Sequence, residues 1–183
     1  MFIKVPSRAC RLALVWSILL LCAGCEEKKG VKIGESPPSI TGPDIRGKSV
    51  SLAQLKGKVV AIYFWTDSCC ADSLRELEPV YRRYRDQGLE VLAINVMDSQ
   101  AEIESFAAKH RISFTMLRDE DSLRFNQYKV RGFPTIFLLD RSGIVREKIL
   151  GGMRTSKLEK LIQRQLEAEQ KAAEAYRKVQ GSK

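Results

Sequence analysis

The chain has 183 residues, of which 44% are hydrophobic and 29% charged, and its formal net charge is +9. This length and composition fit one globular domain with short appendages. The positive charges are spread along the chain without interleaved aromatic residues. This pattern argues against a nucleic-acid-binding surface and for a solvated surface with some affinity for anionic lipid.

Residues 1–25 have the pattern of an export signal, with a basic start and an apolar core at 12–21. The core is shorter than the ~20 residues that a membrane span needs. It ends in Leu-Cys-Ala-Gly-Cys, which resembles the lipobox of bacterial lipoproteins, although Cys22 stands where Leu is commoner. We therefore expect Cys25 to carry lipid and to anchor an exported protein to a bacterial membrane, facing the periplasm or the cell exterior. An uncleaved signal anchor is the alternative.

Cleavage before Cys25 would also decide which thiols remain. Cys10 and Cys22 leave with the signal, so Cys69 and Cys70 are the only free thiols of the mature domain. The three basic residues of the signal leave as well, and 28 Lys and Arg then stand against 22 Asp and Glu, a net charge of +6. Export implies an oxidising compartment, so the redox state of the cysteine pair matters.

The charged, glycine-containing residues 26–35 predict a tether, and residues 36–166 a single domain. The predicted elements of the domain are two short strands around a turn (37–52), a strand covered on both faces (59–65), a helix kinked at Pro79 (73–87), a second buried strand (89–96), a helix with a Ser99–Glu102 capping box (99–111), a short extended piece (114–117), a short helix (121–128), a hairpin (136–150) and a helix from Ser156. Residues 167–183 are rich in Glu, Gln, Lys and Ala. They predict a charged helical or disordered tail, with a partner-binding helix as the minority interpretation.

This order of elements predicts an α/β fold with a mixed sheet between helices. Four segments resemble the TlpA/ResA type of thioredoxin-fold proteins, which are membrane-anchored, extracytoplasmic thiol–disulfide oxidoreductases related to the AhpC/TSA redoxins. The matching segments are 34–60, Tyr63-Phe64-Trp65, 84–92 and 128–135. The resemblance implies a thioredoxin fold with a central mixed β-sheet flanked by helices and an N-terminal β-hairpin extension.

The segment 128–135 is the most specific match, because it resembles the family's loop before a cis-proline, and cis X–Pro bonds are uncommon. In that family the loop faces the active-site cysteines and pairs with the substrate backbone. The resemblance therefore implies that Phe133 and Pro134 flank the thiols and help to bind proteins that carry thiols or disulfides.

We expect no cofactor, no metal and no nucleic acid, and we expect a monomer.

The chain departs from the family at the active site, where the family has Trp-Cys-x-x-Cys. Counting from Trp65 places Cys69 at the nucleophilic cysteine and Asp72 at the resolving one. Counting back from Tyr84 places Cys70 at the second cysteine instead, with Asp67 at the first. We prefer the first register, because the helix that follows contains a proline and can absorb an insertion or deletion.

Two adjacent cysteines at a helix start have a distinctive chemistry. The free N–H groups and the macrodipole of the helix favour a thiolate at Cys69, while Asp67 and Asp72 oppose it. Adjacent Cα atoms are ~3.8 Å apart, below the usual ~4.4–6.8 Å of disulfides. A Cys69–Cys70 disulfide would therefore be strained and oxidising.

These observations leave three functions open. In the first, Cys69 attacks a substrate disulfide and Cys70 resolves or modulates the reaction. In the second, Cys69 is a peroxidatic thiol, since Thr66-Asp67-Ser68-Cys69 echoes the Thr-x-x-Cys of peroxiredoxins, although Ile62 replaces the expected proline. The third is a non-catalytic thioredoxin-fold binding or chaperone lipoprotein. A Cu(I)-binding version has little support, because His110 lies far along the chain.

Trp65 has two interpretations. It is either a core aromatic residue at a strand end or a shield for the thiols. We include it with Phe133 and Pro134 among the candidate substrate-binding residues.

Overall fold

The structure is a computed structural model that describes residues 30–180, with side chains described up to Ala168 and at Lys171. The predicted export signal 1–25, including Cys25, lies outside the described residues, as do positions 26–29 of the tether and 181–183 of the tail. No helix within the described range is long and apolar enough to cross a bilayer.

The strands of the described region form two sheets. A small antiparallel sheet pairs β1 (Thr41–Pro43) with β2 (Ser49–Ser51), which confirms the N-terminal hairpin extension. The central sheet has the strand order β5-β4-β3-β6-β7. Its members are β3 (Val59–Trp65), β4 (Leu89–Asn95), β5 (Thr115–Arg118), β6 (Thr135–Leu139) and β7 (Val145–Leu150). Strands β3, β4 and β5 run parallel to one another, whereas β6 runs antiparallel to both of its neighbours, β3 and β7. The sheet is therefore mixed, as predicted.

Five α-helices connect or cover the strands of the described region. They are α1 (Asp67–Arg75), α2 (Leu77–Tyr84), α3 (Gln100–His110), α4 (Leu123–Gln127) and α5 (Thr155–Gln180). The predicted capping box of α3 is present: the Glu102 N–H donates to Ser99 Oγ at 3.3 Å, and the Ser99 N–H donates to a Glu102 carboxylate oxygen at 2.7 Å. This local signal explains why the start of α3 could be located from the sequence.

The helix predicted over 73–87 with a kink at Pro79 is divided into two helices by a break at Glu76, and the first of them already begins at Asp67. Pro79 has no N–H, and in a continuous helix its ring would clash with the carbonyl of Arg75, four residues earlier. The break places Pro79 in the first turn of α2, where a missing N–H costs nothing. Gly88 ends the segment with a left-handed φ of 96°, as predicted.

The core lies on both faces of the sheet, and β3 shows why its seven residues read as a continuous apolar run. All seven are buried, and they alternate between two hydrophobic clusters. Tyr63 and Trp65 face helices α1, α2, α3 and α5, whereas Ile62 and Phe64 face the N-terminal segment, the hairpin and α4. Each fully buried side chain of this size stabilises the fold by about 1.5–3 kcal/mol.

The strand directions define two ends of the sheet. At the carboxyl end β3, β4 and β5 finish, β6 begins and β7 finishes; at the amino end β3 and β4 begin. The predicted thiols follow directly after β3 and therefore lie at the carboxyl end, where parallel α/β sheets commonly bind ligands.

Candidate functional site

The polypeptide turns from β3 into α1 at Thr66, which is the N-cap of the helix in extended conformation. The helix starts at Asp67, so Cys69 and Cys70 both lie in its first turn, and both are free thiols. Phe64 pairs with Thr135, the first residue of β6, which follows directly after Pro134. The strand pairing therefore brings the cysteines and the Phe133–Pro134 loop to the same end of the sheet.

Cys69 is the accessible thiol of the pair. Its side chain is exposed, and its Sγ lies 3.4 Å from Thr66 Oγ1. The Thr66 hydroxyl is almost fully buried and also contacts Ser68 Oγ at 3.2 Å. When Cys69 is ionised only the hydroxyl can donate in this contact, so Thr66 is placed to stabilise the thiolate.

Cys70 is 1% exposed and belongs to the core between the sheet and α1. Successive residues of a helix point in directions ~100° apart, so two adjacent cysteines cannot both point into the core. Here Cys70 faces the core and Cys69 faces solvent. Burial, followed by a hydrogen bond with the Cys69 thiol, raises the pKa of Cys70 to about 12. A thiol that burial keeps protonated is a poor nucleophile.

A chain of hydrogen bonds fixes the helix turn that carries Cys70. Ser73 Oγ donates to the Cys70 carbonyl at 3.0 Å and contacts the Tyr63 hydroxyl at 2.8 Å. Burial raises the pKa of Tyr63 to about 12, so the phenol stays neutral and able to donate. This chain ties α1 to β3 directly beneath the exposed thiol.

Two residues that the sequence analysis did not identify hold the start of α1. Asp98 accepts the Asp67 N–H at 2.7 Å and the Asn95 side-chain amide at 2.5 Å. Asn95 is fully buried at the end of β4, and its Oδ1 accepts the N–H of Asp98 at 2.8 Å. A polar Asn-x-x-Asp after the second parallel strand is a signal that could have indicated this contact, because parallel strands end side by side.

Trp65 packs in the core and does not reach the surface. It is fully buried, its ring centroid lies 4.9 Å from that of Phe106, and its Nε1 has no hydrogen-bond partner among the described residues. The structure thus corrects its assignment as a residue that contacts substrate and favours the interpretation as a core aromatic residue. It belongs to the same buried cluster as Cys70.

The loop before β6 has the geometry that the resemblance implied. The Phe133–Pro134 peptide bond is cis. Phe133 is half-buried, with its ring centroid 5.6 Å from that of Phe125, while Pro134 is buried and its carbonyl accepts the Gly151 N–H at 2.8 Å. Part of the Phe133 ring is therefore exposed, whereas Pro134 has neither an exposed side chain nor a backbone N–H.

Exposed apolar side chains surround this end of the sheet. Met97, Leu123 and Leu150 are 74%, 59% and 62% exposed; Met97 follows β4 by two residues, Leu123 is the first residue of α4, which follows β5, and Leu150 is the last residue of β7. All three strands finish at the carboxyl end. Within residues 30–180 no three His, Cys, Asp or Glu side chains converge in a way that could hold a metal ion.

Comparisons with known proteins place these features in a family. A sequence model of the AhpC/TSA family matches residues 33–148. The thiol-disulfide oxidoreductase ResA of Geobacillus kaustophilus is 32% identical over 136 residues, which cover 73% of this chain and 78% of the relative. ResA of Bacillus subtilis is 30% identical and covers 70% and 73% of the two chains.

The solved structures show the same fold. A putative thiol:disulfide interchange protein DsbE from Chlorobium tepidum superposes with a TM-score of 0.69 at 29% identity, over 75% of this chain and 99% of the other. A putative thioredoxin from Neisseria meningitidis gives a TM-score of 0.64 at 27% identity. The predicted thioredoxin fold is therefore confirmed, and the chain belongs to the AhpC/TSA family.

Proposed function

We propose that this protein exchanges thiols and disulfides through Cys69 alone, on the outer side of a bacterial membrane to which lipid on Cys25 ties it. The observation that carries the proposal is the unequal placement of the two thiols, since Cys69 is exposed and Cys70 is buried. The class of reaction, thiol–disulfide oxidoreduction, was predicted from the sequence and is confirmed by relatives that carry that name.

The reaction begins when the Cys69 thiolate attacks one sulfur of a substrate disulfide. The substrate S–S bond breaks, the second substrate sulfur leaves as a thiolate, and a Cys69–substrate mixed disulfide forms. A thiolate from outside the chain, either a small thiol or a protein thiol, then attacks the substrate sulfur of the mixed disulfide, forms a new disulfide with it and releases Cys69 as a thiolate. Each step breaks one S–S bond and forms one, and a second outside thiol completes the two-electron reduction of the substrate.

Cys70 has a modulating role in this proposal. Its thiol is in the core, its pKa lies far above neutral pH, and a bond to Cys69 would join Cα atoms only ~3.8 Å apart. Its hydrogen bond with the Cys69 thiol instead adjusts the environment of the reacting sulfur. The resolving role that a second cysteine has in Cys-x-x-Cys enzymes passes to a thiol of another molecule.

Intact-mass measurement in a series of redox buffers tests this proposal, with Cys69→Ser and Cys70→Ser as the two variants. We expect the wild-type chain and Cys70→Ser to form one mixed disulfide with the buffer thiol and to reduce a small disulfide at similar rates. We expect Cys69→Ser to form no adduct and to lose the activity.

Each other outcome contradicts a different part of the proposal. A reversible loss of two protons in the wild-type chain would indicate a Cys69–Cys70 disulfide and a resolving role for Cys70. A chain that forms no adduct in any buffer would indicate the non-catalytic binding function. Activity that survives Cys69→Ser would remove Cys69 from the mechanism.

A peroxidatic function is the second candidate, because Thr66 Oγ1 lies 3.4 Å from Cys69 Sγ, close enough to orient a peroxide at the sulfur. The peroxide O–O bond would break, Cys69 would become a sulfenic acid and water would leave. Thr66→Val separates the two functions. It should abolish peroxide consumption if this is the reaction, whereas disulfide exchange should slow only about fivefold for the loss of one hydrogen bond. Ser68→Ala is the matched control.

The substrates we propose are proteins that carry exposed disulfides. Phe133 and the apolar side chains of Met97 and Leu150 would contact an unfolded segment around the disulfide, and the backbone of Phe133, in the loop before β6, would pair with it. This arrangement favours partly unfolded chains over folded ones, because only an extended segment reaches from these side chains to Cys69.

The anchoring proposal has a separate test. Residues 1–25 would be removed as a signal, with Cys25 acylated, residues 26–35 would form the tether, 36–166 the redox domain and 167–183 a charged tail. Metabolic labelling with palmitate should mark the wild-type chain and leave Cys25→Ser unlabelled. Label on both chains would contradict the assignment of Cys25.

A further inference from the structure

A cleft of about 750 Å³ opens beside the N-terminal segment, on the face of the sheet that α4 covers. Four cationic side chains line it, and no Asp or Glu lines it among the described residues. The cations are Lys32, Lys129, Arg131 and Lys148. We call this the basic cleft. Its remaining wall includes the apolar side chains of Val31 and Leu150.

The charges of the basic cleft lack partners within the described part of the chain. Lys32, Lys129 and Arg131 form no ion pair there, and Lys148 only donates to the Val31 carbonyl at 3.4 Å and lies 5.3 Å above the Phe137 ring. Neighbouring cations differ, since Arg124 pairs with Asp119 and Arg146 with Asp140. Four like charges around one cleft repel each other unless an outside anion offsets them.

The cleft lies where the chain enters the domain. Gly30 and Val31 form part of its wall, and Gly30 follows Cys25 by five residues, which span at most about 17 Å. The four residues at 26–29 are two Glu and two Lys and add no net charge. A lipid on Cys25 would therefore hold the cleft within a short distance of the bilayer surface.

We propose that the basic cleft docks on the anionic headgroups of the membrane that anchors the protein. This inference rests on the proposed lipid at Cys25, which supplies the proximity. Lys and Arg within a Debye length of an anionic bilayer are attracted to it.

Docking through this cleft would orient the redox site. Arg131 and Leu150 belong both to the cleft and to the surroundings of the Phe133–Pro134 loop, which lies at the same end of the sheet as Cys69. The carboxyl end would therefore stay close to the bilayer surface instead of pointing away from it. Such an orientation favours substrates that are themselves attached to the membrane or emerge from it.

Sedimentation with lipid vesicles tests the cleft without the anchor. The probe is the unlipidated chain 26–183, which retains both hydrophobic clusters whole, since their members lie between Val31 and Leu166. Vesicles of phosphatidylglycerol and phosphatidylcholine are compared with pure phosphatidylcholine. We expect binding to the anionic vesicles only, weakening as salt rises. Lys32→Glu/Arg131→Glu should weaken it at least about 25-fold, at about fivefold for each lost cation.

Lys109→Glu/Lys160→Glu is the matched control, because it makes the same change of net charge on helices α3 and α5, which cover the opposite face of the sheet. Equal loss of binding in both double variants would show that net charge acts without a specific face and would overturn the proposal. Equal binding to both kinds of vesicle would also overturn the proposal. Displacement of the protein from the vesicles by millimolar inorganic phosphate would overturn it too, because it would indicate a site for a small anion. Reduction of a small disulfide by the same samples reports separately on Cys69, so failure of docking and failure of the proposed exchange are distinguishable.

Discussion

The two ends of the central sheet use their side chains in opposite ways. At the amino end Arg141 donates to the carbonyls of Gly57 and Gln87, at 2.8 Å each, and Lys58 pairs with Glu90 at 2.5 Å. These polar contacts join the segments before β3 and β4 to the turn after β6. The carboxyl end has polar contacts as well, from Asn95 and Asp98 to the start of α1, but it also holds the exposed apolar side chains of Met97 and Leu150.

This difference separates stability from function along one sheet. Hydrogen bonds at the amino end satisfy backbone carbonyls just outside the strands, which have no partner within the sheet. These bonds therefore contribute to the stability of the fold. Exposed Met and Leu side chains contribute almost nothing to folding, and their position at the end that carries Cys69 fits the substrate-binding surface proposed above. Substitutions at the two ends should therefore have different consequences, one for the free energy of unfolding and the other for the reaction with protein substrates.

The largest effect is expected just beneath the carboxyl end, where alkaline pH should destabilise the fold through Cys70. Burial raises the pKa of Cys70 from an ordinary 9.0 to about 12, so its contribution is complete below pH 9 and is lost as pH rises toward 12. For one proton the loss grows by at most about 1.4 kcal/mol for each pH unit in this range. Tyr63, whose pKa burial raises from 10.0 to about 12, adds a loss in the same direction above pH 10.

Urea unfolding between pH 8 and 11 measures this loss. Cys70→Ala should reduce the fall in the free energy of unfolding between pH 9 and 10, where Tyr63 contributes little. Cys69→Ala is the control and should leave most of the fall in place, because Cys69 is exposed. An unchanged fall in Cys70→Ala would mean that the Cys70 thiol is not buried as described.

A smaller effect is expected at the amino end. Arg141→Ala removes two charge-assisted hydrogen bonds to the Gly57 and Gln87 carbonyls and should lower the free energy of unfolding by about 2 kcal/mol. The reduction of a small disulfide should not change, because the substitution lies at the end opposite Cys69. The exposed Lys56, substituted by Ala, is the control, with a change within about 0.5 kcal/mol. Loss of activity in Arg141→Ala at temperatures where it stays folded would contradict the separation of the two ends.

Much of the fold could be predicted because its signals are local. The apolar runs at 59–65 and 89–95 are too short for helices and rich in residues that favour strands, and the Ser99–Glu102 capping box marks a helix start within four residues. The kink predicted at Pro79 is present as a break at Glu76, although the positions of the apolar residues continue across it. Only the steric effect of Pro79 on the preceding turn separates α1 from α2.

The site was less predictable because it depends on which face each side chain takes. Trp65 ends a strand that is buried on both faces, so alternation could not tell whether its ring would face α1 or the surface. The contact of Asp98 with the Asp67 N–H joins residues 31 apart in sequence, and it follows from the pairing of β3 with β4. Adjacent positions imply different directions for Cys69 and Cys70, but only the packing of α1 against the sheet decides which thiol is buried.

The smallest effect should appear at the exposed apolar residues of the carboxyl end. Met97→Ser and Leu150→Ser each remove an apolar contact that a protein substrate would bury, worth about 1 kcal/mol, so kcat/KM for reduction of a protein disulfide should fall about fivefold for each. The rate with a small disulfide should stay unchanged, since a small molecule reaches Cys69 without these contacts. The free energy of unfolding should change by less than about 0.5 kcal/mol, because both side chains are mostly exposed.

Ile33→Ser is the matched control for these two substitutions. Ile33 is 61% exposed, close to the values for Met97 and Leu150. It lies away from the carboxyl end, because the N–H of the next residue, Gly34, donates to the carbonyl of Val145, where β7 begins. If Ile33→Ser slows the protein reaction as much as Met97→Ser, the exposed apolar surface acts without regard to position. If only Met97→Ser and Leu150→Ser slow it, the carboxyl end binds the substrate chain, because no difference in exposure distinguishes the three residues.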